Sequence, residues 1–132
     1  MLNNIHDPDK VNRILPIFRL AFRPFFLGAA LFSLIALGLW GSFWLGGLSW
    51  TPYGGWLWWH AHEMLFGFVC AVMVGFLLTA VQNWTAQDSI KGWPLAAVFF
   101  LWLLARILLL FPLAATDTIL PWIDLAFLPA AA

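Results

Sequence analysis

Four apolar runs, separated by short polar or glycine-rich breaks, organise the sequence. The first covers about 24–45, the second about 59–83 and the third about 94–113, each near the length that crosses roughly 30 Å of hydrocarbon at 1.5 Å per residue. The fourth, 118–132, holds Pro121, Asp124 and Pro129 and is barely long enough to span. The pattern predicts an all-α integral membrane helical bundle, with three transmembrane helices plus the start of a fourth. A polar segment, 1–13, precedes a membrane domain of 14–132 and is expected to be mobile. Because the last run stops inside a helical pattern, the chain reads as the N-terminal portion of a longer protein. Its partners would then be the lipid bilayer and the remaining helices of the full-length protein, or further copies of itself.

The breaks carry the turn residues expected of them. Gly46-Gly47 and Thr51-Pro52-Tyr53-Gly54-Gly55 end the first run, Asp88 and Lys91 lie in the second break, and Thr116 and Asp117 form a short turn in the third. The first run is too long for a cleaved signal peptide, and Trp40-Gly41-Ser42-Phe43 is a poor cleavage site. Before it, Ile14 to Pro24 is apolar with Arg19 and Arg23 four residues apart, which suits a short amphipathic segment in the headgroups. These arginines are read as juxtamembrane anchors, with binding of an anionic ligand as the second reading. Gly28, Ala29, Ser33, Ala36, Gly38 and Gly41 offer the first helix close-packing surfaces. Trp44, Trp50, Tyr53, Trp56, Trp58 and Trp59 crowd the following break and read as an interfacial aromatic belt rather than a cofactor box.

Composition agrees with a membrane protein. Of 132 residues 64% are hydrophobic and 9% charged, and six basic plus six acidic side chains cannot coat a soluble domain of this size. The zero net charge argues against a nucleic-acid partner. A single cysteine, Cys70, excludes an internal disulfide framework. Lys10, Arg13, Arg19 and Arg23 precede the first helix and Lys91 follows the second, while the loops after the first and third helices hold no lysine or arginine. By the positive-inside rule the N-terminus is cytoplasmic and His60 and His62 lie at the outer face.

The ionisable groups at the start of the second run are His60, His62 and Glu63. On a regular helix the two histidines are about 200° apart, so one turn does not aim both at one metal unless it is unwound. His60 shares a face with Glu63, Gly67, Ala71 and Gly75, small residues that pack tightly or leave room for a flat ligand. His62 shares the bulky face of Phe66, Val69, Met73 and Phe76. Imidazole at a membrane boundary suits haem iron or copper, with Glu63 placed to accept a ligand's ring N–H. The plainer reading is a pair of interfacial histidines bonded to water or lipid. Arg106, in the third run, falls at the depth of Glu63 and would pair with it, hold a haem propionate, or snorkel to the surface.

Several stretches together resemble the NnrS family. They are Phe18-Arg19-Leu20-Ala21-Phe22-Arg23-Pro24-Phe25-Phe26, Trp59-His60-Ala61-His62-Glu63-Met64-Leu65-Phe66-Gly67-Phe68, Gly75-Phe76-Leu77-Leu78-Thr79-Ala80-Val81-Gln82-Asn83-Trp84-Thr85 and Gly92-Trp93-Pro94-Leu95. The resemblance implies a multi-pass protein of the bacterial inner membrane carrying haem and copper, linked to denitrification and to nitric-oxide stress. It implies His60 and His62 as haem or copper ligands, with Glu63 beside them, and nitric oxide as a ligand. No residue is assigned a catalytic role. The alternative is a cofactor-free transporter or scaffold with a polar path lined by His60, His62, Glu63 and Arg106.

Overall fold

Small residues and short apolar repeats decide how the helices meet. A computed structural model of the chain describes residues 12–114 and 117–132. The expectations for Lys10, for most of segment 1–13 and for Thr116 concern residues outside that range. A short 3₁₀ turn, Pro16–Arg19, leads into α1, Phe22–Trp44, with Pro24 in its first turn as its fixed φ favours. The start of α1 is tied to the second helix by one residue. The Phe22 N–H donates to Thr79 Oγ1 at 3.0 Å, and that hydroxyl donates to Gly75 O at 2.8 Å.

The second helix, α2, is continuous over Trp56–Thr85 but not regular. It is α-helical over Trp56–His62, π-helical over Glu63–Val69, and α-helical again over Cys70–Thr85. It ends at Ala86, which takes a left-handed conformation at φ 54°. Gly75 marks the crossing with α1, since a Cβ there would lie 2.8 Å from Phe25 Cβ. Gly28 plays the same part between α1 and the third helix, where a Cβ would lie 2.8 Å from the Phe99 ring. Gly38 and Gly41, expected to pack closely, have no described neighbour within 4 Å of a Cβ position.

The third helix, α3, covers Trp93–Leu110 and buries Leu95, Val98, Trp102, Ala105 and Leu109, a three–four spacing that forms one stripe. Against it lies α4, Leu120–Ala131, burying Leu120, Asp124, Phe127 and Ala131. At 12 residues α4 extends about 18 Å, short of the hydrocarbon thickness. The three longer helices are long and apolar enough to cross a membrane. Their outer surfaces carry exposed Leu27, Leu31, Leu34, Phe76, Phe100 and Ile107, as lipid contact requires.

The indoles divide, which departs from a simple belt. Trp44, Trp84 and Trp93 are exposed, whereas Trp56 and Trp59 are buried in a core with Ala36, Leu109 and Leu120. The loop between α1 and α2 folds back to build that core: the Tyr53 N–H donates to Leu109 O at 3.0 Å, and Trp56 Nε1 donates to Trp50 O at 3.1 Å. Gly54, at φ 73°, lies against the Trp58 ring, where a Cβ would come within 2.6 Å. No other residue type makes that turn at this distance.

Candidate functional site

Four ionisable side chains from three helices meet at one end of the bundle. Glu63, the first residue of the π segment, is fully buried, and Arg106 of α3 is 3% exposed. Arg106 Nη1 lies 3.1 Å from Glu63 Oε1, an ion pair without hydrogen-bond alignment. Arg106 Nη2 donates to Asp124 Oδ1 of α4. His62 closes the ring, with Nδ1 3.0 Å from Glu63 Oε1 and Nε2 2.9 Å from Asp124 Oδ2. The pairing of Arg106 with Glu63 anticipated from their depth is present, and Arg106 does not snorkel.

Asp124 is the residue the sequence reading passed over. It lies in the shortest apolar run, between two prolines, with no other charge in its helix. A lone carboxylate in an apolar helix needs a partner, and that rule, applied to Asp124 as it was to Glu63, points to Arg106.

The two histidines have different surroundings. His60 stacks on Trp40 of α1, ring centroids 4.2 Å apart and planes within 10°. Its Nδ1 is enclosed and has no hydrogen-bond partner among the described residues. His62 is sandwiched between Trp58 and Phe66, with centroids at 4.6 and 4.7 Å, so the ring is held edge-on to the carboxylates. The separation expected from helix geometry is present, but the histidine that joins the buried network is His62 rather than His60. The physical reason lies in the neighbours. Asp124 comes from α4 on the His62 side, while Trp40 covers the His60 side.

A proton count follows from these contacts. Each His62 nitrogen faces a carboxylate oxygen, yet a neutral imidazole carries one N–H. Satisfying both contacts takes one further proton, on the ring or on a carboxyl. With that proton the cluster carries no net charge, whether the ring or a carboxyl holds it, the condition an apolar setting favours. Glu63 Oε2 and Arg106 Nε have no hydrogen-bond partner, so the ring of contacts still has open positions.

The π segment sets the position of Glu63. Within it the Gly67 carbonyl accepts a hydrogen bond from Trp102 Nε1 at 3.2 Å. Gly67 itself admits no side chain, since a Cβ would lie 2.4 Å from Phe32 and 2.8 Å from Glu63 Oε2. Among the described residues no group of three or more His, Cys, Asp and Glu could hold a metal ion. The donor set therefore offers one uncommitted imidazole, His60, and not a two-histidine chelate, because both His62 nitrogens are engaged.

A family model described as NnrS protein matches residues 16–132. No curated protein and no solved structure matches the chain.

Proposed function

The chain belongs to the NnrS family, and from that premise we propose that it is a haem-binding membrane protein acting in nitric-oxide stress or denitrification, with His60 as the iron ligand. The observation that carries the assignment is the state of His60. Its ring is fixed against Trp40, and its enclosed Nδ1 is committed to nothing else. A haem bound there would supply an iron centre able to take nitric oxide. The protein's own part is to orient the imidazole through the Trp40 stack, and to line the neighbouring space with the neutralised His62–Glu63–Arg106–Asp124 network. In this reading His62 orients Glu63 and Asp124 and is not itself a ligand; a copper at both histidines would first require His62 to leave a carboxylate.

The purified protein should show a Soret band that shifts on addition of nitric oxide. His60→Ala should abolish the band and His62→Ala should keep it. A wild-type protein without a Soret band, or a His60→Ala variant that retains it, overturns the assignment.

A second reading is supported by one observation, the unbroken contact among four ionisable side chains. It is a cofactor-free polar path through His62, Glu63, Arg106 and Asp124, for which no variant would have a Soret band.

In the bacterial inner membrane we place the N-terminus in the cytoplasm, on the strength of Arg13, Arg19, Arg23 and Lys91. A reporter fused after Tyr53 should be active only outside, and one fused near Lys91 only inside. The reverse pattern would put the His60 end in the cytoplasm.

A further inference from the structure

At the end of the bundle opposite the buried network lies a half-open cavity of about 710 Å³. The distance between the two ends is about 28 Å, from Glu63 to Gln82 along α2 at 1.5 Å per residue. We infer that this cavity, lined by Arg19, Arg23, Gln82, Asn83 and Lys91, is a binding site for a phosphate group, carried by an anionic lipid or by a free phosphate.

Its donors are held by the backbone. Arg19 Nε donates to Ile14 O at 3.1 Å, and Arg23 Nη1 donates to Pro16 O at 2.7 Å. Each guanidinium is thus anchored through one nitrogen to a backbone carbonyl, leaving further N–H groups of its fork for a ligand. Asp88, which also lines it, accepts a hydrogen bond from Lys91 Nζ at 2.8 Å. Among the described residues the lining holds three cations, Arg19, Arg23 and Lys91, and one carboxylate.

Gln82 supplies the second, independent observation. Among the described residues its enclosed Nε2 has no hydrogen-bond partner, and the residue lines this polar cavity. An enclosed amide N–H left without an acceptor is a costly arrangement that an oxyanion would relieve. An acceptor carrying several oxygens and negative charge suits both arginine forks together, which a neutral or single-oxygen ligand does not, and a turn of the Gln82 amide toward the cavity would add its N–H.

The framework is built rather than incidental. The Gly92 N–H donates to Phe18 O at 2.9 Å, tying the start of α3 to the 3₁₀ turn that carries Arg19. Thr79 ties the start of α1, which carries Arg23, to α2. The left-handed Ala86 turns the chain away at the end of α2, so that Lys91 returns to the same cavity. Basic pockets at helix ends are a recurring way of holding lipid headgroups.

The test is a titration of the detergent-purified full chain, with thermal stability and tryptophan fluorescence as readouts. The probes are short-chain phosphatidylglycerol, short-chain phosphatidylcholine and inorganic phosphate. Saturable binding of phosphatidylglycerol without phosphatidylcholine or inorganic phosphate identifies a lipid site, and saturable binding of inorganic phosphate identifies a site for free phosphates. Arg19→Gln and Arg23→Gln should each weaken binding about tenfold or more, as expected for a charge-assisted hydrogen bond. Gln82→Leu, which removes no charge, should also weaken it. If an arginine variant fails to fold, Arg23→Lys and Gln82→Leu carry the test. No saturable binding of either anionic probe overturns the proposal, as does equal affinity in wild type, Arg23→Gln and Gln82→Leu.

Discussion

Replacing Arg106 with leucine is expected to cost the bundle about 3–5 kcal/mol, the range for removing one partner of a buried ion pair. Arg106 is 3% exposed and faces two carboxylates, Glu63 and Asp124, from separate helices. Without it two buried anions face only His62. A carboxylate-to-amide change is milder by the same count. Glu63→Gln or Asp124→Asn removes one anion, and Arg106 keeps the other. The order of destabilisation should therefore be Arg106→Leu first, with either amide variant well behind. Unfolding in mixed detergent, followed by tryptophan fluorescence, reads this directly. Adding Glu63→Gln and Asp124→Asn to Arg106→Leu should recover part of the loss, with a coupling of about 0.5–3 kcal/mol. Strict additivity, or an Arg106→Leu variant as stable as wild type, would mean that the four side chains do not act as a unit.

How much of that unit the sequence discloses depends on which physical signal each member carries. The three spans are legible because long apolar runs are a strong pattern, and the helices fall within a few residues of the expected limits. Glu63 and Arg106 are legible because isolated charges in apolar helices demand partners, and counting rise per residue puts both at one depth. Asp124 follows the same rule, but its short, proline-bounded run hides its depth. The π segment leaves no such trace. It adds a wider turn over Glu63–Val69 that periodicity cannot register, and it is stabilised by Trp102 and Phe32 from other helices. The exchange of roles between the histidines is a tertiary effect as well. A wheel gives their separation, but only the positions of Trp40 and Asp124 decide which imidazole is engaged. The burial of Trp56 and Trp59 is set by the Tyr53–Leu109 contact, a pairing of residues far apart in the chain.

Trp102 is the second position where a large effect is expected, because it holds the π segment from outside. Its ring is 1% exposed and packs against Phe25, Phe32 and Phe99, with centroids at 6.5, 5.9 and 5.6 Å. In lipid these contacts count as packing rather than as transfer out of water, since the bilayer is itself apolar. Truncation to alanine leaves a cavity between three helices and removes the indole bond to the Gly67 carbonyl, and should cost about 3–5 kcal/mol. Trp102→Phe keeps a six-membered ring while losing the indole N–H and part of the ring volume, so it should cost less, about 1–3 kcal/mol. The difference between the two variants isolates packing from the hydrogen bond. Both should also weaken the coupling between Arg106 and Glu63, because Glu63 begins the segment that the Trp102–Gly67 bond fixes. A double-mutant cycle of Arg106→Leu with Glu63→Gln, repeated in the Trp102→Phe background, measures that effect. An unchanged coupling energy there would show that Glu63 is positioned by its ion pairs alone, and that the Trp102 bond serves only to fill the core.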